Sequence, residues 1–218
     1  MWLQVAVNRR PQPLLDAIQR SGAIGPHSLI IWNSPLEKEN LREYRDLRAL
    51  RKAGIAPSSL STPLQRFWPA RGPVWDAIGI TSEGHPVFVE AKAHIAEAAS
   101  PGTKASAKSK ELIEKSLAAA RRLYAPKATA VWSNVFYQYA NRLAHHYFLT
   151  KLNGIHSSLV FLYFLNARDT SVPVCEEEWR GAIRLIHAAL GLTSDLKQRR
   201  VFDAFLDVRL LENGIPSN

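Results

Sequence analysis

Asp76 sits inside an apolar run, Val74-Trp75-Asp76-Ala77-Ile78-Gly79-Ile80, and a second run, Val87-Phe88-Val89, ends in Glu90-Ala91-Lys92. Strand side chains alternate, so Glu90 and Lys92 share a face while Val89 and Ala91 point to the other. Burying a lone carboxylate is costly, so these groups need partners or a cation. Between the runs stands Thr81-Ser82-Glu83-Gly84-His85, which reads as a hairpin turn. If all of 81–85 is loop, Ile80 faces Pro86 and Asp76 falls opposite Glu90. If only 83–85 is loop, Asp76 faces Lys92 and lies diagonal to Glu90. Either odd-length loop gathers the three side chains on one face; an unbulged even-length loop separates them. Opposed residues carry Cβ atoms about 4.5–5.5 Å apart. Two carboxylates at that spacing can close on one Mg²⁺, or Mn²⁺ in its place, at about 2.0–2.1 Å. A cation so held neutralises a phosphate oxygen and lowers the pKa of a bound water. Lys92 would steady that water or the charge growing on the phosphorus centre.

The elements that must position this trio can be read around it. Residues 28–32 form a short apolar strand, and 36–53 read as a helix with Leu41, Tyr44, Leu47 and Leu50 on one face, stopped by Gly54. Residues 57–72 are loop-like, and 74–80 with 86–92 form the hairpin. A small, polar stretch, 97–108, leads into a helix over 109–124. Between 97 and 127 seven basic residues stand against three acids, so the segment is either a solvated surface or a phosphate-contacting flank, with Lys104, Lys108 and Lys110 nearest the key strand. A long helix is expected over 133–152, crowded with Val135, Phe136, Tyr139, Leu143, Tyr147 and Phe148. It carries one polar stripe, Gln138, Asn141, Arg142 and His145. Such a stripe is ordinarily the wet side of a helix; its functional alternative is the lining of a groove beside the acids. Residues 158–165 are almost wholly apolar, as in a central strand covered on both faces. The last clear helix is 176–190, and 203–211 reads as helix or strand.

An aspartate, a hairpin turn and then Glu-x-Lys at a strand end resembles the PD-(D/E)XK nuclease superfamily, here on Asp76, Glu90 and Lys92. Trp75 stands where proline gives that family its name. The resemblance covers about 36–165 and implies an α/β, restriction-endonuclease-like core: a mixed central sheet flanked by helices, in the order helix, three strands, helix, strand. It implies one domain over 1–218, with 176–211 as a C-terminal helical extension, and a Mg²⁺-dependent nuclease acting on nucleic acid, DNA before RNA. Asp76 and Glu90 would be the metal ligands. Members often add a glutamate from the first helix; counting back from Gly54 reaches Glu43, with Glu37 and Glu39 as rivals and pairing with nearby arginines as the plainer role. Some carry a glutamine in the helix after the Glu-x-Lys strand, a position that Gln138 matches; Arg142 would then contact phosphate or leaving group.

Composition sets the bounds. Hydrophobic residues make up 46% of the chain, enough for a packed core, and the formal charge of +9 favours polyanionic partners. No apolar run is long enough for a membrane helix, which takes about 20 residues, and the start does not read as a secretory signal. Cys175 stands alone, so no intrachain disulfide or cysteine zinc cluster can form, and the expected compartment is the cytoplasm. The 7 histidines show no zinc-ligand spacing. Two further classes stay open: a catalytically silent nucleic-acid-binding scaffold, and a glycosidase using paired carboxylates, which has no need of the lysine or the basic surface. A homodimer is compatible with all of this, since nucleases that cut both strands often pair.

Overall fold

The apolar run of Ser158–Leu165 forms β4 over its whole length and is buried at all but its last position. Such a run needs cover on both faces, and neighbours on both edges supply its hydrogen bonds. In the computed structural model, which describes residues 1–134, 136–168 and 172–212, β4 pairs in parallel with β3 (Pro86–Lys92) and β5 (Val201–Asp207). β3 pairs antiparallel with β2 (Ala77–Thr81), and β2 with β1 (Ile30–Ser34). The spatial order is β1-β2-β3-β4-β5, so the fold is α/β, a five-stranded mixed sheet flanked by helices.

Alternation along the strands divides the core in two. Helices α1 (Trp2–Asn8) and α2 (Pro11–Ser21) cover the face that carries Val87, Val89, Val160, Leu162 and Phe202. The opposite face, with Ile78, Phe88, Leu159, Phe161 and Tyr163, packs under α3 (Asp46–Lys52), α4 (Leu64–Phe67), α6 (Ala107–Tyr124), α7 (Tyr137–Tyr147) and α8 (Glu176–Leu190). A short α5 (Ile95–Ala98) follows β3 directly. Helix α8 is marked at both ends: three glutamates fill its first turn, where the dipole favours them, and Gly191 closes it in the left-handed region. Among the described residues no helix is long and apolar enough to cross a membrane.

Several expectations are corrected. Residues 36–53 are not one helix. A 3-10 turn (Glu37–Glu39) gives way to Asn40 and Leu41, both at φ 55°, and only α3 is α-helical. The helical spacing was real, yet the Tyr44 carbonyl accepts from the Trp75 amide at 2.9 Å, a tertiary bridge that draws this stretch out of the helix. The anticipated helix at 133–152 starts at Tyr137 and ends in a π-helical turn, Phe148–Leu152; Val135 lies outside the described residues. Nor is 176–211 a helical extension, because β5 completes the sheet. Helices α1 and α2 were not read at all. The signal for α2 was present: Pro11 at its start, Leu14, Ala17, Ile18 and Ser21 on one buried face, and Gly22 at φ 86° after its end.

Gly79 is where β1 and β2 approach most closely. A Cβ placed there would lie 2.5 Å from Ile30 Cγ2 and 3.1 Å from the Trp32 ring. Gly79→Ala is therefore expected to destabilise by about 1–3 kcal/mol through overpacking. Thermal denaturation should show a midpoint lowered by roughly 2–10 °C; an unchanged midpoint would mean that β1 yields freely.

Candidate active site

The hairpin adopts the first of the two registers, with Ile80 opposite Pro86 and Ala77 opposite Val89. Asp76 stands one residue before the last pair and thus on the side of Glu90. Its Oδ2 accepts a 2.7 Å hydrogen bond from the Ala91 amide, which ties the start of β2 to the end of β3. Glu90 is 2% exposed. The plain alternative, a cross-strand salt bridge on an open sheet face, does not describe a carboxylate so deeply set.

Two cations close on Glu90. Lys92 Nζ donates to Oε1 at 2.7 Å, and Arg142 of α7 donates through Nε to Oε2 at 2.6 Å. The remaining Arg142 donors reach the Val74 carbonyl at 2.8 Å and Asn141 Oδ1 at 2.7 Å, while its guanidinium lies over the Trp75 ring. Asp76 has no such company. Its carboxyl is pushed up to about 7, first by burial and then by the Glu90 charge, and Oδ1 accepts no hydrogen bond among the described residues. Burial and Glu90 also raise Glu43, which lines the same pocket of about 230 Å³ with Asp76 and Lys92. Glu43 is thus the glutamate that reaches the pair, although from an extended segment rather than a helix. Its rivals are engaged elsewhere: Glu37 with Arg9 at 2.6 Å, and Glu39 with Lys52 and the Tyr44 hydroxyl. Trp2 and Gln4 of α1 complete the wall, a contribution the sequence reading missed together with the helix.

The polar stripe of α7 divides. Gln138 is exposed at the mouth and its Oε1 accepts from Lys92 Nζ at 3.0 Å. Asn141, Arg142 and His145 are buried, so this is not the wet side of the helix. His145 donates no chemistry: burial pulls it down to about 3, and its ring packs 4.6 Å from that of Trp68. Trp68 and Trp132 are core residues at 3% and 2% exposure, and Trp32 is part-buried against the other core. Lys104, Lys108 and Lys110 are exposed, and Lys110 lies 3.8 Å from Glu114. Their segment is tied near the site by several links, among them the Gln138 backbone amide donating to Ser100 Oγ at 2.9 Å and the Thr103 amide donating to the Ser133 carbonyl at 3.0 Å.

As metal donors, Asp76 has an oxygen in hand, Glu90 has both engaged, and Glu43 stands on the rim. No three His, Cys, Asp or Glu side chains among the described residues are grouped to hold a metal. No protein family, curated protein or solved structure matches the chain.

Two measurements follow from this charge arrangement. Arg142→Met removes one partner of a buried pair and should destabilise by about 3–5 kcal/mol; adding Glu90→Gln should recover part of that loss, and a fully additive double variant would show that the two side chains are uncoupled. For Asp76, a folded-state value near 7 against an ordinary 3.8 means that the native state holds the extra proton. Stability then falls as pH rises from about 4 to 7 and stays lower above. Asp76→Asn keeps an acceptor for Ala91 and should stabilise at pH 8 by about 2 kcal/mol, discounted for residual solvent, with roughly 4–8 °C in midpoint. The gain should vanish near pH 4, and a variant less stable than the parent at pH 8 would contradict the assignment.

Proposed function

We propose that the chain is a divalent-metal-dependent nuclease that hydrolyses phosphodiester bonds, with DNA as the first candidate substrate. One observation carries the reading: Asp76 and Lys92 line one pocket with Glu43, Glu90 is bonded to Lys92 beside them, and burial with the Glu90 charge pushes the Asp76 carboxyl up to about 7 against the pull of Arg142 and Lys92. The five-stranded mixed sheet flanked by helices, with Asp76 and Glu90–Lys92 at neighbouring ends of β2 and β3, is compatible with it, although α3 and α4 intervene between β1 and β2.

The donor set fits a hard cation. It is all oxygen, it has an uncompensated carboxylate, and it is too sparse to cage an ion without water and phosphate oxygens, which is how Mg²⁺ is commonly held. Asp76 would hold the cation, with Glu90 sharing an oxygen now given to Arg142 and Glu43 at the margin. A bound divalent ion supplies charge neutralisation at phosphate and a more acidic water. Lys92, anchored between Glu90 Oε1 and Gln138 Oε1, presents its ammonium where negative charge develops. Gln138 fixes the direction of that ammonium, and Arg142 holds Glu90 Oε2 in place from the facing helix.

A second reading has its own support. Because both oxygens of Glu90 are engaged by protein cations, the chain would also serve as a silent nucleic-acid-binding scaffold. One assay separates the two: single- and double-stranded DNA and RNA with Mg²⁺, Mn²⁺ or EDTA. Metal-dependent cleavage that falls at least about 100-fold in Asp76→Ala and in Lys92→Ala is the expected result. Salt-sensitive binding without cleavage would transfer the protein to the scaffold class, and inertness to every nucleic acid would end both readings.

A further inference from the structure

Arg42, Arg45, Arg48 and Arg51 recur at every third position, and all four are exposed. None makes a side-chain hydrogen bond or ion pair among the described residues. Neighbouring charges behave differently. Lys52 is tied to Glu39 at 2.5 Å, and the carboxylate of Asp46 is spent on the amides of Arg71 and Gly72 at 3.0 and 2.9 Å. Four like charges left without counter-charge repel one another and create a local field that a polyanion would relieve.

All four line one groove of about 630 Å³ beside α3. Glu43 lines both this groove and the pocket of Asp76 and Lys92, so the two concavities adjoin at that residue. Arg48 and Arg51 stand one three-residue step apart on α3, a rise of about 4.5 Å, comparable with the roughly 3.4 Å of axis per phosphate along one strand, and Arg42 and Arg45 precede the helix on the same groove wall. Guanidinium forks suit phosphate oxygens in pairs. The floor of the groove includes Trp68, buried at 3%, which leaves no large apolar side chain there to enter a lipid layer.

We infer that the arginine row at 42, 45, 48 and 51 is the track on which the phosphate backbone of a nucleic-acid strand lies as it approaches the Asp76–Lys92 pocket, a proposal that rests on the hydrolase reading. The occupant is a nucleic-acid strand, bound through its backbone rather than its bases, so the row carries no sequence preference.

The test is fluorescence anisotropy in EDTA with a labelled single strand and the corresponding duplex, from about 50 to 200 mM salt. The full-length protein is compared with Arg42→Gln/Arg45→Gln/Arg48→Gln/Arg51→Gln, with Arg48→Glu alone, and with Arg20→Gln/Arg184→Gln as an exposed basic surface elsewhere. Thermal midpoints of all variants establish that they fold. The quadruple variant should bind at least about 30-fold more weakly, with a salt slope reduced by about 3–4, and Arg48→Glu should fall between it and the parent. A quadruple variant within twofold of the parent overturns the track, as does a parent that binds neither strand. Cleavage with Mg²⁺ then separates the two ideas. An arginine-dependent binder that never cuts leaves the track standing and removes the hydrolase. A quadruple variant that cuts with the parental KM does the reverse.

Discussion

A carboxyl group 2% exposed needs fixed donors in place of the water it has lost, and Glu90 sets that condition for the whole molecule. Lys92 is available from the same strand, two residues on, but it satisfies only one oxygen. The other must be reached from outside the sheet, which obliges α7 to cross the face with Arg142 pointing inward. Arg142 in turn needs acceptors for its remaining donors, and Val74 and Asn141 provide them. This is why polar Asn141 and Arg142 sit inside a helix–sheet interface that is otherwise packed with Tyr139, Leu143 and Phe148. One turn on, His145 is held neutral against Trp68, so the helix contributes a single charge to the core.

The two central acids are thereby made unlike. Glu90 has a cation on each oxygen; Asp76 accepts one backbone hydrogen bond, and burial with the Glu90 charge pushes its carboxyl up to about 7. The segment that brings Glu43 to them is under local strain. Asn40, Leu41, Asp46 and Arg71 all lie at positive φ, which costs about 1 kcal/mol or more for a residue such as Leu41. The Asp46 carboxylate, gripping two backbone amides of the 71–72 turn, holds this arrangement in place. Gly72 is required there, since a Cβ would lie 2.9 Å from that carboxylate.

What the sequence made legible follows from how local each signal was. β4, α8 and the hairpin register emerged from apolar runs, acids at a helix start and one glycine-bearing turn, all of which act within a few residues. Asp76, Glu90 and Lys92 could be placed on one face because strand parity is a local rule. Residues 36–53 failed for the opposite reason: their helical periodicity is sound, and a bridge to Trp75, some thirty positions away, overrides it. The inward turn of Arg142 was equally hidden, because its partner is 52 positions distant. β5 was ambiguous because its alternating pattern, apolar in and polar out, is short and runs into a 3-10 turn. Of the N-terminal helices, α2 carries a local signal of its own, Pro11 at its start and Gly22 after its end.

The separation of Glu90 from Arg142 also sets a schedule for the growing polypeptide. Ribosomes deliver Asp76, Glu90 and Lys92 well before residue 142, and until that residue arrives Glu90 has no second cation and remains hydrated. The two acids and Lys92 are therefore without their buried setting until α7 is made. They become a desolvated, charge-tuned cluster only when the chain through α7 is out and has docked, so a ribosome-bound fragment ending before α7 carries the motif without its electrostatic setting.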